Sequence, residues 1–191
     1  MKTLFASLLV FLLIPVSLEV KAKDRYRIDP QHTSSVFEYS HWGLSLQRGR
    51  FDKNSGSIEV DFDTKSGSVL IEVEVSSVST GTPLFDSALR SARFFDVENY
   101  PKIVFRSSRL IFDEQNNLIA LDGELTIKGT SKRIVLELSQ FNCRFMPLYM
   151  ARACGANGSA KILRSDFDLG KYTPFVSDEV TLSFSVEAIK E

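Results

Sequence analysis

The sequence predicts an all-β protein with a mainly antiparallel sheet, and three observations support this fold class. Apolar and polar residues alternate along 58–62, 69–75 and 180–186, as in strands with one buried face. Short polar turns such as Asn54-Ser55-Gly56 and Lys128-Gly129-Thr130 separate the apolar runs. The connections are too short for the helical crossovers that parallel strands require. Further strands are expected at 34–41, 102–112, 118–128, 132–141 and 157–164.

One segment departs from this alternation. Pro83 suits the first turn of a helix, and the apolar residues Leu84, Phe85, Ala88 and Leu89 follow at helical spacing. The sequence therefore predicts a short helical insertion near 83–95.

The first 22 residues have the pattern of a signal peptide. Lys2 precedes an apolar run from Leu4 to Leu18, and Val20-Lys21-Ala22 places small or compact residues at the expected cleavage site. The run is short for a membrane span and lacks a stop-transfer flank, which disfavours a retained anchor. We therefore expect residues 1–22 to be removed and residues 23–191 to form one exported, periplasmic domain.

The charge balance of this domain argues against a nucleic-acid partner. Removal of residues 1–22 takes away two lysines and one glutamate, so the net charge changes from −1 to −2. Nucleic-acid-binding domains usually carry a basic surface, which this composition does not predict. Neutral or amphipathic small molecules remain as ligands.

The two cysteines predict a disulfide. Cys143 and Cys154 form an even pair behind an export signal, in an oxidising compartment. A metal site is disfavoured because the only histidines, His32 and His41, are distant in sequence. A redox dithiol is disfavoured because such cysteines usually lie two residues apart.

No pattern in the sequence predicts catalysis. It contains no Gly-x-Ser-x-Gly, His-Glu-x-x-His or Gly-rich phosphate loop. Asp166 follows Arg164 closely, but such pairs are more often structural. We expect no catalytic residue, no metal and no cofactor.

Fifteen phenylalanines supply a large apolar volume, several of them on the inward face of strands. Each one is most simply explained by core packing. In a closed sheet, the same inward face can also line a ligand cavity. The alternation alone does not distinguish a barrel from a sandwich.

Several short motifs, taken in order, resemble the YceI-like family of bacterial periplasmic lipid-binding barrels. The resemblance extends from about Tyr26 to Ala188. The motifs are His32-Thr33-Ser34, His41-Trp42-Gly43, Gly49-Arg50-Phe51, Leu89-Arg90-Ser91, Phe94-Phe95-Asp96, Tyr100-Pro101, Gly123-Glu124-Leu125-Thr126-Ile127-Lys128-Gly129 and Arg164-Ser165-Asp166-Phe167.

The resemblance implies an extended, lipocalin-like antiparallel β-barrel of about eight strands, with an isoprenoid or other long-chain lipid in an apolar cavity. The alternation of inward and outward residues along the strands, together with the resemblance, predicts which residues line the cavity. His41, Arg90 and Arg93 are expected to contact the head group of the lipid. The expected lining residues are Phe37, Tyr39, Phe51, Ile58, Val60, Phe105, Leu125, Ile127, Leu182 and Phe184.

The sequence departs from the family in the helical insertion, where Phe85 and Ala88 stand in place of an Arg and a His. Arg90 and Arg93 could substitute for them. A disulfide loop also replaces an Arg-Ala-Gly-Phe stretch. These departures leave the head group open.

Three functions remain open at this point: a lipid carrier, an accessory protein or enzyme acting on isoprenoid quinones in a membrane redox system, and a structural barrel with a solid core. A satisfied local hydrogen bond is an alternative role for His41. A transient contact with a membrane or membrane protein, and a homodimer, also stay open.

Overall fold

The protein forms a closed antiparallel barrel of eight strands, as seen in a computed structural model that describes residues 23–191. The predicted signal peptide, 1–22, lies outside the described residues. The strands are β1 (Asp24–Ile28), β2 (Ser34–His41), β3 (Ser45–Phe51), β4 (Asn54–Asp61), β5 (Ser66–Glu74), β6 (Val78–Ser79), β7 (Lys102–Phe112), β8 (Leu118–Ile127), β9 (Thr130–Met146), β10 (Ala151–Leu163) and β11 (Val176–Lys190).

The ring runs β1-β4-β5-β7-β8-β9-β10-β11 and closes where β11 pairs with β1. Three further strands extend this ring past bends. These are β2, β3 and β6, which follow β1, precede β4 and follow β5 in the chain. Strand β2 pairs with the first part of β11, β3 pairs with β2, and β6 pairs with β3. Full closure leaves few free strand edges, which removes a common route to aggregation.

Strand direction defines two ends of the barrel. The turns β2–β3 and β8–β9 lie at one end, together with α1 (Pro83–Arg90) and the loop before β11; we call this the α1 end. The turns β4–β5, β7–β8 and β9–β10 lie at the other, where β1 begins and β11 finishes; we call this the terminal end. The predicted helical insertion is confirmed as α1.

A buried amide fixes two of the bends. Asn54 is 2% exposed, and its side-chain amide donates to the carbonyl of Phe51 at 3.0 Å and to that of Thr33 at 3.4 Å. The Ser35 hydroxyl donates to the Asn54 side-chain oxygen at 2.7 Å. Asn54 thus satisfies carbonyls left unpaired where β1 bends into β2 and β3 into β4.

The predicted disulfide is present. Cys143 on β9 and Cys154 on β10 are directly opposite in the register, and their sulfurs are bonded. Beyond the disulfide, the β9–β10 hairpin extends past the terminal end. The Tyr149 hydroxyl near its tip donates to Asp29 at 3.3 Å, which joins the hairpin to the bend after β1.

Candidate functional site: the barrel interior

The barrel interior contains two clusters of buried apolar side chains. The larger reaches the α1 end and includes Phe37, Phe51, Phe105 and Phe167. The smaller lies toward the terminal end and consists of Tyr26, Ile28, Val60, Cys154, Val186 and Ala188. Their burial follows from strand alternation, because every second residue of a closed sheet points inward.

Between these clusters lies a zone of inward-facing side chains that are only partly buried. Ile58, Ile71, Leu110 and Phe184 pack against both clusters, yet none of them is fully buried. On β5, Ile71 is partly exposed although its inward-facing neighbours Val69 and Val73 are both buried. The neighbouring side chains therefore enclose this zone less completely than they enclose the two clusters.

Three phenylalanine rings lie along the inner wall of the barrel, against glycines of neighbouring strands. The ring of Phe184 lies against Gly158, which is directly opposite on β10. The rings of Phe37 and Phe105 lie in the same way against glycines of the neighbouring strand. A Cβ at any of these glycines would collide with the ring, so the absence of a side chain there lets each ring stay near the wall.

The predicted lining residues all contribute to the interior. Six are buried and four are partly buried, all of them within or packed against the two clusters. The buried ones are Phe37, Phe51, Val60, Phe105, Leu125 and Ile127, and the partly buried ones are Tyr39, Ile58, Leu182 and Phe184.

Several other inward-facing residues were not among the lining residues predicted from the sequence. Ile71 and Leu110 border the partly exposed zone, and Ile103, Ile134 and Ile162 line the same interior. The alternation along 69–75 already placed Ile71 on an apolar face, so that signal was available for one of them. The others required knowledge of which strands meet across the barrel.

The three predicted head-group residues lie at the α1 end in different environments. His41 is exposed at the end of β2, with its ring 6.4 Å from that of Trp42. Arg93 is exposed in the segment after α1. Arg90 is partly buried and donates from Nη2 to the carbonyl of Val78 at 3.1 Å, which ties α1 to β6.

Two polar groups reach the interior near the α1 end. Burial raises the pKa of the Tyr39 hydroxyl, although the positive charge of Arg164 opposes the shift, so Tyr39 is neutral at physiological pH. The buried Nε–H of Arg90 has no acceptor among residues 23–191. Buried donors without an acceptor are rare in folded proteins.

Arg164 holds the loop that closes the α1 end. Its guanidinium donates to four backbone carbonyls, those of Leu169, Lys171, Val176 and Ser177, and to the Thr173 hydroxyl. All five N–H donors of the group are therefore used. Arg164 cannot also bind a head group without breaking this loop.

Asp166 does not contact Arg164. Its carboxylate lies 3.7 Å from the Lys132 ammonium. The adjacent Ser165 backbone N–H donates to Asp178 at 2.8 Å, as part of the 3-10 turn over Arg164–Phe167. The Arg–Asp contact considered from the sequence is therefore not formed between these two residues, and Asp166 lies instead beside Lys132.

The wall of the barrel opens between β9 and β10. Their pairing stops at Glu137 and Ser159, although both strands continue toward the α1 end. A cavity of about 300 Å³ lies in this gap, with Ile134, Ile162 and Phe167 among its lining residues. The charged groups at its edge are paired; for example, Lys161 contacts Glu179 at 2.8 Å.

A second concavity, of about 350 Å³, lies on the outer face of β9, β10 and β11. Its floor consists of small residues, Ala153 and Gly155, and His32 and Arg144 stand at its sides. It faces away from the barrel interior. Within residues 23–191, no three His, Cys, Asp or Glu side chains come together in a way that could hold a metal ion.

The fold and the apolar interior define a lipocalin-like barrel. The YceI-like domain profile matches residues 26–188, so the chain belongs to the YceI-like family. The helix in residues 23–191 is too short and too polar to cross a membrane.

Relatives and solved structures resemble the chain over nearly its whole length. A UPF0312 protein of Vibrio parahaemolyticus is 30% identical, covering 100% of this chain and 99% of the relative. The YceI protein of Salmonella arizonae is 28% identical over 100% of this chain and 98% of its own.

Among solved structures, the YceI protein of Campylobacter jejuni is 27% identical, with a TM-score of 0.68 over 80% of this chain and 90% of its own. Burkholderia cenocepacia BcnA has a TM-score of 0.71 at 24% identity, over 84% of this chain and 98% of its own. A polyisoprenoid-binding domain from Saccharophagus degradans has a TM-score of 0.66 at 16% identity, covering 87% and 98%. At these identities, the last two structures show a shared fold and nothing more about this chain.

Proposed function

We propose that this protein is a periplasmic carrier that holds the hydrocarbon chain of an isoprenoid or another long-chain amphipathic lipid inside the barrel. The observation that supports this most directly is the partly exposed apolar zone between the two buried clusters. Ile58, Ile71, Leu110 and Phe184 face inward, and apolar side chains that face unfilled space are stabilised by an apolar ligand.

The energetics favour a long hydrocarbon chain in such a site. Transfer of a methylene group from water to an apolar environment is worth about 0.8 kcal/mol, so affinity increases with the length of chain that is buried. The fold shared with the polyisoprenoid-binding domain of Saccharophagus degradans supports the same class of ligand.

The head group is proposed to lie at the α1 end. Tyr39 and Arg90 offer a neutral hydroxyl and an unfilled N–H donor there, and His41 and Arg93 lie exposed at the same end. An amphipathic lipid would place its tail along the phenylalanine-lined wall and its oxygens among these donors. This arrangement matches the division between an apolar interior and a polar rim that is typical of ligand cavities.

The proposal assigns carriage and no reaction to this chain. The side chains of the interior zone, Ile58, Ile71, Leu110 and Phe184, are apolar, and the Arg164 guanidinium is engaged by the closing loop. The periplasmic location follows from the proposed signal peptide at 1–22 and agrees with the family to which the chain belongs.

The first experiment identifies what the protein holds. We expect native mass spectrometry of the gently purified protein, followed by organic extraction, to recover an isoprenoid or long-chain lipid at close to one molecule per chain. Repeated recovery of empty protein that also takes up no lipid when exposed to micelles would contradict the proposal.

A pair of variants tests the location of the lipid. Ile71→Trp should fill part of the interior and lower the amount of lipid retained, with little loss of stability because there is space to occupy. Val135→Trp, on the outward face of β9 between the inward-facing Ile134 and Leu136, is the control and should retain the wild-type amount. If the interior were solid, Ile71→Trp would instead cost about 1–3 kcal/mol of stability, as overpacking does.

A further inference from the structure

The α1 end carries a contiguous patch of exposed apolar side chains. We call it the apolar tip and define it as Trp42, Leu44 and Leu46 around the β2–β3 turn with Tyr172 and Phe175 in the loop before β11; each is more than half exposed. The Trp42 and Phe175 rings stack with centroids 4.4 Å apart, and the backbone N–H of Trp42 donates to the backbone carbonyl of Phe175 at 2.7 Å. The two segments thus form one surface.

The apolar tip is held in place. Arg164 donates to the carbonyls of Lys171 and Val176, on either side of Tyr172 and Phe175. Trp42 adopts a left-handed backbone conformation with φ of 56°, which large side chains rarely adopt. These side chains are therefore exposed on well-held segments of the folded protein. Contiguous exposed apolar patches of this kind mark interaction sites.

The charges around the apolar tip are positive. Residues 40–50 and 169–176 contain no Asp or Glu, whereas the Lys171 ammonium lies 5.2 Å from the centre of the Tyr172 ring. Three carboxylates that flank these segments in the sequence form ion pairs: Glu38 with Arg48, Asp52 with Arg50 and Asp168 with Lys128.

We propose that the apolar tip docks the α1 end of the barrel on an anionic phospholipid bilayer. Aromatic rings favour the head-group level of a bilayer, leucine side chains favour the acyl region, and nearby cations are attracted to anionic lipids. A second copy of this chain fits the surface less well, because two apolar tips in contact would bring like charges together.

This inference rests on the proposed function for its purpose, since docking would bring the proposed head-group end of the carrier to the membrane that supplies or receives the lipid. It can be tested without knowledge of the carried lipid.

The β9–β10 hairpin is the competing surface and provides a matched control. Leu148 and Met150 are 81% and 78% exposed, compared with 85% and 61% for Leu44 and Leu46. The hairpin also has nearby cations, Arg144 and Arg152, but it lies at the terminal end. Its Tyr149 is engaged by Asp29.

The only tryptophan of the chain, Trp42, lies on the apolar tip and reports docking directly. We expect its fluorescence emission to move to shorter wavelength when vesicles of phosphatidylglycerol and phosphatidylethanolamine are added. The shift should be much smaller with pure phosphatidylcholine vesicles and should decrease in high salt, because salt screens the attraction between charges.

Two double variants locate the docking surface. Leu44→Ser with Leu46→Ser should weaken binding to the anionic vesicles by about tenfold or more, because two exposed apolar side chains are lost from the contact. Leu148→Ser with Met150→Ser should bind like the wild type. Both variants should unfold at temperatures close to that of the wild type, since all four side chains are exposed.

Three results would overturn the inference. They are an unchanged Trp42 emission with anionic vesicles, loss of binding in the Leu148 and Met150 variant instead of the Leu44 and Leu46 variant, and an emission shift that follows protein concentration without vesicles.

Lipid extraction from the same samples separates the two proposals. Empty protein that still binds vesicles counts against carriage alone, whereas lipid-loaded protein that ignores vesicles counts against docking alone.

Discussion

The ring of Phe37 lies against Gly49, the residue directly opposite it on the neighbouring strand β3. The three atoms nearest to a methyl group at Gly49 would all belong to this ring and would clash with it, so the ring itself would have to move. Gly49 therefore lets the Phe37 ring lie near the wall.

We expect Gly49→Ala to lower lipid binding by displacing the Phe37 ring into the barrel. The affinity for a fluorescent long-chain fatty acid should fall several-fold, while the free energy of unfolding changes by about 1 kcal/mol or less, because alanine suits a strand better than glycine does. Displacement titration and chemical denaturation measure the two effects.

Gly155→Ala on β10 is the matched control. A methyl group there would make only ordinary contacts, the nearest at 3.8 Å from the Val186 carbonyl oxygen. Equal loss of lipid binding in both variants would contradict a specific role for the Phe37 ring position.

Replacement of Arg164 should strongly destabilise the α1 end. Arg164→Met leaves the carbonyls of Leu169, Lys171, Val176 and Ser177 without their donor, and each loss of a hydrogen bond costs about 1 kcal/mol or more when the acceptor is buried. We expect a loss of about 3 kcal/mol or more in urea denaturation.

Lys161→Met offers a comparison for that experiment. Its ion pair with Glu179 lies on the surface, where such pairs contribute little. The variant should unfold like the wild type. If Arg164→Met were equally harmless, the closing loop would not depend on the guanidinium.

The pair of His32 and Asp29 should respond to pH. The hydrogen bond to Asp29, whose oxygen lies 2.8 Å from Nδ1, raises the pKa of His32 above 6.5, and the same bond lowers the pKa of Asp29 below 3.8. The contribution of His32 to stability is therefore complete below pH 6.5 and is lost as the pH rises through its raised pKa. That of Asp29 is complete above pH 3.8 and is lost as the pH falls through its lowered pKa.

NMR titration of the imidazole C–H signals tests this pair. In Asp29→Asn, the pKa of His32 should fall back toward 6.5. An unchanged His32 titration in the variant would show that the carboxylate is not the cause.

Removal of the disulfide should lower stability without opening the barrel. The chain-entropy model gives about 3 kcal/mol for a loop of this size, although Cys143 and Cys154 lie on strands that are already paired. We expect Cys143→Ala with Cys154→Ala to unfold at a lower temperature and to retain lipid.

Addition of a reducing agent provides the control for that variant. It should lower the unfolding temperature of the wild type and have no effect on the double variant. Loss of lipid in the reduced protein at temperatures below unfolding would mean that the disulfide supports the interior directly.

The sequence by itself determined the strands, the helix at Pro83–Arg90 and the disulfide, because these depend on local periodicity, turn residues and cysteine pairing. Family resemblance added the closure into a barrel. Alternation also identified inward-facing residues on several strands, since the side-chain period of a strand is two whatever lies across from it.

Only the tertiary structure decided what those inward faces meet. It showed Phe37 lying against Gly49, all donors of Arg164 engaged by the closing loop, and the pairing of β9 and β10 ending at Glu137 and Ser159. These relationships join residues far apart in the chain, and a local pattern gives the side of a strand but not the distance to the opposite wall. Whether an apolar face fills a barrel or lines a space depends on that distance.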